Sequence, residues 1–517
     1  LIARLLVAAL TVLLATAASS DPAPVAHVRT GDLQGKAGDG YDVFFAIPYA
    51  AAPVGPLRWR APQAPPAWSG VRPAAEPGAA CIQTPGASSY TGPESEDCLT
   101  LNVFVPAALK RGAHAPVMVW IHGGGFTGGA GSRYDGSQFA RDGVILVTIN
   151  YRLGRLGFFA DPAIAATSPD GALANFGLVD QIAALRWVKA NIAAFGGDPA
   201  KVTLFGESAG GQSVNALMVA PQARGLFARA ISESSFAAFP ASPLAQARAA
   251  AVAYGAALGV KGEDAASAAA LRALPARAFA KAVNLIDPGA PRPILDGVVL
   301  VHDPLEAFDR GEEAKVPLII GGNSFEASEF AELVAAAPKA VIARVGGDPD
   351  KVIAAWGGDP VRAAADYLTF SQVIEPDRRM ARDEARAGVP AWTYYFSYVP
   401  GAIRAATLGA WHGAEIAYVF ETLPRAPRDA RPQPLMPKSF PAASPEDEAM
   451  ARAVHAYWVA FAKTGRPSVD GEPSWPRVAA GADPTMEFAA EGPTLREAFE
   501  APRLDALEVK AKTQMKP

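Results

Sequence analysis

Apolar residues fall along this chain in short, separated runs. Val117–Ile121, Val144–Ile149, Val202–Phe205, Val316–Ile320 and Trp392–Tyr398 are rich in β-branched or aromatic residues, and each predicts a strand buried on both faces. Between them, Gly177–Ala194 and Ser208–Val219 carry apolar residues at helical spacing. Strands alternating with helices predict an α/β fold, a mostly parallel sheet flanked by helices on both sides. Two Ala-rich segments, Ala241–Asn284 and Glu326–Ala387, keep helical spacing without strand alternation. They are expected to be helical insertions over the active edge of the sheet, walling a pocket, with an interaction surface as the alternative. No internal repeat interrupts the pattern, so residues 22–510 are read as one domain.

Composition narrows the class. Of 517 residues, 50% are hydrophobic and 19% charged, which supplies a large core and excludes a disordered chain. The formal net charge is −4 and no Lys/Arg cluster appears, so a nucleic-acid partner is not expected. Arg4, the apolar run Leu5–Leu14 and Ala15-Thr16-Ala17 have the pattern of a signal peptide over residues 1–18. The run is shorter than the roughly 20 residues that span a bilayer. Removal of the peptide, no stable membrane insertion, and export to a periplasm or the medium are therefore expected. In an oxidising compartment the isolated pair Cys81 and Cys98 predicts a disulfide. Two thiols with no nearby His pair do not complete a zinc shell, so no metal is expected there.

The sharpest local signal is Lys201–Gly211, KVTLFGESAGG, with G-x-S-x-G at Gly206, Glu207, Ser208, Ala209 and Gly210. A β-branched run precedes it and an apolar helix follows, the strand–turn–helix setting of a nucleophilic serine. His122–Phe126, HGGGF, directly follows another predicted strand. Its glycines can turn successive N–H groups toward a developing oxyanion, and the donors assigned are Gly124 and Gly125 with the N–H of Ala209. A serine nucleophile needs a base, and in this strand–turn–helix class the chain order is Ser, acid, His. Of the histidines after Ser208, His302 precedes the strand expected to carry the acid. His455 sits in the helical pattern Glu446–Ala462, where a packed or surface histidine is the default. His412, in a Gly-flanked loop, is the candidate base. His412 and Glu415 form H-x-x-E, but two ligands make a poor metal site. The candidate acid is Glu326, just past the strand Val316–Ile320, with Glu329 a weaker competitor.

These residues fall into a longer series: Ala46-Ile47-Pro48-Tyr49-Ala50 with Arg58, Ser95-Glu96-Asp97-Cys98-Leu99, HGGGF, and Asn150-Tyr151-Arg152-Leu153-Gly154. It continues through Phe195-Gly196-Gly197-Asp198-Pro199, GESAGG, Asn323 with Glu326, and His412-Gly413. From about Val28 to Pro476 the chain resembles the type-B carboxylesterase/lipase family, which includes bacterial p-nitrobenzyl esterases and the cholinesterases. The resemblance implies an α/β-hydrolase fold and a serine carboxylesterase acting on small-molecule esters without a cofactor. It further implies a glutamate as triad acid, a Cys81–Cys98 bridge and the ion pairs Arg58–Glu96 and Arg152–Asp180. Glu207 matches a buried carboxylate that supports the site. Two departures stand out. The loop Ile82–Asp97 holds no tryptophan, only Tyr90, which argues against choline esters. Ser235 replaces a glycine near the family's acyl pocket. The alternatives at this point are a non-catalytic binding or adhesion member of the same fold, or a lipase, amidase or specialised ester hydrolase.

Overall fold

The computed structural model describes residues 23–514 apart from 111, 171–172, 283–286, 288, 427 and 430–432; the segment read as a signal peptide lies outside them. Among the described residues the predicted strands form the middle of an 11-stranded sheet. In chain order its members are β1 (Lys36–Ala37), β2 (Tyr41–Pro48), β3 (Thr100–Pro106), β4 (Ala115–Ile121), β5 (Ile145–Ile149) and β6 (Gly197–Glu207). They continue as β7 (Arg229–Glu233), β8 (Leu318–Asn323), β9 (Ala391–Phe396), β10 (Thr485–Ala489) and β11 (Gly492–Arg496). The spatial order is β11-β10-β9-β8-β7-β6-β4-β5-β3-β2-β1. Every pairing from β10 across to β5 is parallel. The pairings at both margins are antiparallel.

Alternation along the central strands divides the core in two, because successive side chains point to opposite faces. Val117, Val119 and Ile121 of β4 join one cluster with α1 (Phe176–Asn191) and α2 (Ala209–Val219). Met118 and Trp120 join the other, in which Tyr457, Trp458 and Phe461 lie on the long helix Pro445–Thr464. Both faces are therefore covered, as continuous apolar runs require.

The predicted boundaries shift where side chains stop reporting the backbone. β8 begins at Leu318 rather than Val316 and runs on through Gly321-Gly322-Asn323, which have no apolar side chain to mark them. β6 is longer than Val202–Phe205 because Gly197 already pairs with Ala115 before a register shift. The strands β1, β2, β3, β7, β10 and β11 escaped the prediction; β11, for one, holds no fully buried residue. The insertions are mainly helical. The first carries Leu244–Ala257 and Ala265–Ala273, but its Ser242–Pro243 also pairs with Ile294–Leu295, a strand contact that helical spacing did not announce. The second carries helices from Ala331–Ala336 to Glu375–Arg386, with a π-helical turn at Phe370–Ile374. It packs around its own cluster of Val334, Ile342, Leu368 and Phe370. No helix among the described residues is long and apolar enough to cross a membrane.

Candidate active site

Ser208 stands between the end of β6 and the start of α2 with φ 59° and ψ −123°, a strained conformation for a residue with a side chain. Close packing forces the turn. A Cβ on Gly210 would fall 2.0 Å from the Ile121 carbonyl oxygen, and one on Gly206 would fall 2.6 Å from the same atom. Only glycine fits at either position. The Ser208 N–H donates to the Glu233 carbonyl of β7 at 2.9 Å, and its own carbonyl accepts from Gln212 N–H at 2.8 Å, the first turn of α2. The hydroxyl thus sits at a helix N-terminus, where partial positive charge favours an anion.

The glycine loop after β4 is held beside this turn. A Cβ on Gly123 would fall 3.0 Å from the Ser208 Cβ. Gly124 and Gly125 have φ of 107° and 58°, open to glycine and costly to other residues. His122 anchors the loop: its ring stacks on Tyr151 at 4.5 Å, its carbonyl accepts from the Tyr151 hydroxyl at 2.9 Å, and Nδ1 meets the Gly123 carbonyl at 2.8 Å. Burial lowers the His122 pKa to about 4, so this histidine is a neutral strut. The N–H groups of Gly124, Gly125 and Ala209 donate to no other described group.

Glu326 lies three residues past β8, fully buried, and accepts the Asn323 N–H at 2.6 Å through Oε1. Its Oε2 lies 2.5 Å from His412 Nδ1. The two loops are stitched together. Phe325 N–H donates to the Ala410 carbonyl, Ala410 N–H to Ser324 Oγ, and His412 N–H to Ser328 Oγ, each at 2.8 Å. The other ring nitrogen of His412, Nε2, lies 3.2 Å from Glu207 Oε1 and makes no hydrogen bond among the described residues. A resting nucleophile–base bond is commonly open before substrate arrives. Burial disfavours the imidazolium, but the charges of Glu207, Glu326 and Glu329 outweigh it and hold His412 well above its usual pKa. Burial likewise raises Glu207 to about 8; His412 opposes that rise, while Glu415 and Glu326 add to it.

A cleft of about 110 Å³ opens over Ser208, with Gly125, Ala209, Phe126, Phe236 and Phe330 in its walls. The Phe236 ring lies 5.1 Å from the His412 ring, which sets His412 beside the cleft that holds Ser208. The helices of the first insertion do not line it. Only Ala241 does, beside the flanking segments that hold Phe239 and Pro293, while Glu329 and Phe330 represent the second insertion. Glu329 is exposed and acts on His412 through its charge alone.

The other residues named from the sequence have these contacts. Cys81 and Cys98 form a disulfide. Arg58 grips Glu96 with two bonds of 2.7 Å, and Arg152 grips Asp180 likewise. Tyr90 bonds the Pro93 carbonyl at 3.1 Å and is not among the cleft residues. His302 pairs with Glu312, and His455 is packed against Val419 O and Asp142. Sequence reasoning missed the carboxyls behind His412. Glu415 accepts from Ser234 and Asn323, and Glu233 from the Trp458 indole at 2.7 Å. Ser235 is fully buried between Asn215 and Asp377. Only Glu415 had a local signal, the H-x-x-E spacing. No group of three or more His, Cys, Asp or Glu among the described residues is arranged to hold a metal.

Sheet, strained elbow, glycine loop and Glu–His pair together define a serine hydrolase of the α/β-hydrolase class. The Carboxylesterase family model matches residues 22–356 and 357–506, and the chain belongs to that family. It is 35% identical to fumonisin B1 esterase of Sphingopyxis macrogoltabida, over 89% of this chain and 86% of that one. It is 34% identical to para-nitrobenzyl esterase of Bacillus subtilis (strain 168), over 87% of this chain and 92% of that one. Among solved structures, a carboxylesterase of Geobacillus stearothermophilus matches with a TM-score of 0.78 at 32% identity, covering 93% of this chain and 99% of its own. The protein is a carboxylic ester hydrolase.

Proposed function

We propose that Ser208 is the acylated nucleophile, His412 the base and Glu326 its orienting acid. The bond of 2.5 Å between a buried glutamate and His412 Nδ1 carries this reading, because it leaves Nε2 as the basic nitrogen. Ser208 Oγ attacks the ester carbonyl while His412 takes its proton. The N–H groups of Gly124, Gly125 and Ala209 hold the oxyanion. Collapse breaks the ester C–O bond, and His412 returns the proton to the leaving alcohol. Water, deprotonated by His412, then releases the acid and restores Ser208. Glu207 sits beside Nε2 and tunes the base. Ser208→Ala should lower p-nitrophenyl butyrate turnover by about 10⁵-fold or more, with an unchanged circular-dichroism spectrum. Retained turnover in a folded variant rules out the assignment, and a wild-type chain inert on every ester would favour a binding protein.

We also infer that the chain is exported, with a leader removed near Ala17; the Cys81–Cys98 disulfide supports an oxidising destination. N-terminal sequencing of protein recovered outside the cytoplasm tests this. An unprocessed cytoplasmic product would overturn it.

A further inference from the structure

His455 stands outside the catalytic pair, yet both of its ring nitrogens are bonded. It belongs to the long helix Pro445–Thr464 and is 2% exposed. Nδ1 lies 2.7 Å from the Val419 carbonyl oxygen, and Nε2 lies 3.0 Å from Asp142 Oδ2. A carbonyl and a carboxylate only accept, so each bond needs its proton on the ring. A ring that donates from both nitrogens is an imidazolium. The bond from His455 holds the Asp142 carboxyl below its ordinary range, so Asp142 is the ionised partner. The other charges around the ring come from the same elements. Lys463 of the long helix acts on Asp142, which follows the helix Ser137–Arg141. Glu421, two residues past Val419, interacts with the charges of His455, Asp142 and Arg452; burial raises its carboxyl, and His455 opposes the rise.

The Val419 carbonyl connects this pin to the active site. Val419 closes the short helix Ile416–Val419, which begins four residues after His412. The N–H groups of Val419 and Tyr418 donate to the Glu415 carbonyl at 2.9 and 2.8 Å, and Ala414 N–H donates to the Trp411 carbonyl at 2.9 Å. Glu415 in turn accepts from Ser234 and Asn323. Phe420 packs on Trp120 and Phe139 at 4.9 and 5.3 Å, and Phe139 packs on the His455 ring at 4.5 Å. Ring contacts tolerate sliding, whereas the two bonds of His455 have direction.

We infer, on the serine-esterase reading, that His455 is a positioning residue: its imidazolium ties Val419 and Asp142 to the long helix and so holds the His412 loop in place for the reaction. A neutral ring has one N–H and one bare nitrogen. Its bare nitrogen would face the Val419 carbonyl or the Asp142 carboxylate, and one bond would be lost. Losing a charge-assisted bond shifts such an equilibrium by about tenfold or more. Activity therefore needs His412 neutral and His455 charged, which gives the pH profile an acid limb from the first and an alkaline limb from the second.

The test is kcat against pH with ethyl butyrate in a pH-stat. In the wild type kcat should fall about tenfold on the alkaline side. Asp142→Asn is the decisive variant. Its amide can donate to a bare Nε2 while Nδ1–H keeps Val419, so both bonds survive loss of the charge. The alkaline fall should vanish, with kcat at neutral pH within about twofold of wild type. His455→Gln should lower kcat about tenfold at every pH and leave the acid limb where it was. A wild-type profile with no alkaline fall, or an alkaline fall that persists in Asp142→Asn, overturns the inference; the second result would leave His455 a mere space-filler. A readout without turnover separates this failure from failure of the esterase reading. In Ser208→Ala protein with ¹⁵N-labelled histidine, the imidazole resonance that moves on Asp142→Asn should be that of an imidazolium at neutral pH. A neutral ring there contradicts the inference even if no ester is cleaved.

Discussion

Arg152 beside α1 with Asp180 on it, and Glu207, Glu233 and Glu415 in the carboxyl cluster near His412, are all buried but are satisfied in opposite ways. Asp180 takes three bonds from Arg152, two of 2.7 Å from the guanidinium and one of 3.0 Å from the backbone N–H. Arg58 and Glu96 repeat the two-point grip near the disulfide. The glutamates have no arginine bonded to them. Glu233 is met by an indole N–H, Glu415 by an amide and a hydroxyl, and Glu207 by a histidine that it must share with Glu326. Burial raises Asp180 too, though the charge and bonds of Arg152 oppose the rise; without such an arginine, burial pushes Glu233 well above the ordinary carboxyl range, Glu207 to about 8 and Glu415 to about 7. Arginine-paired charge fixes the scaffold; the glutamates without an arginine gain protons more readily, and the ionised form of Glu207 favours a proton on His412.

The contrast can be broken experimentally, beginning with the glutamate that must stay bonded to His412. Glu326→Gln keeps the shape but supports the wrong imidazole tautomer, and should lower kcat by about 10⁴-fold in a p-nitrophenyl butyrate assay. A loss under tenfold would mean that Glu326 does not orient the base. Arg152→Ala leaves Asp180 buried without its cation and should cost about 3–5 kcal/mol in urea unfolding. Near-normal stability would remove the distinction between paired and unpaired sites.

Glu207→Gln should act on pH dependence more than on rate. The base must be neutral to work, so kcat/KM rises with pH through the raised His412 pKa, above the usual value of about 6.5. Losing a negative neighbour lowers that pKa, so the acid limb should move to lower pH, with kcat near neutrality changed by less than about tenfold. An unmoved or upward-moving limb would show that Glu207 does not tune His412. The smallest effect is expected from Glu233→Gln, because the native group is already neutral and hydrogen-bonded. Its stability cost should stay below about 1 kcal/mol at neutral pH. A raised folded-state pKa gives stability that is full below the unfolded value of about 4.3 and is lost as pH rises through the folded value. Glutamine does not titrate, so the variant should lose less stability than wild type toward alkaline pH, as thermal melts can read.

Such differences also explain what sequence could reveal. The elbow was legible because backbone crowding against Ile121 allows only glycine at 206 and 210, and a strand and a helix flank it. The HGGGF loop was legible for a similar reason, since positive φ at Gly124 and Gly125 leaves a compositional mark. His412 and Glu326 followed from chain order and strand ends. Glu233 and Asp377 were invisible, because a buried carboxyl on a strand or helix has no spacing that separates it from a solvated one. Glu415 stood in plain view, read as half of a poor metal pair, and in the fold accepts from Asn323 and Ser234. Helical spacing announced both insertions, yet they give the cleft only Ala241, ahead of the first helix, and Glu329 and Phe330 on the short 3-10 helix Glu326–Phe330, whose placement depends on tertiary packing.

Covalent trapping reaches the central claim most directly. An organophosphate that phosphorylates activated serines should add one label per chain, located by peptide mass mapping on Ser208, with activity lost in proportion to labelling. Label on another residue with full loss of activity, or full labelling of Ser208 with turnover intact, would contradict the assignment.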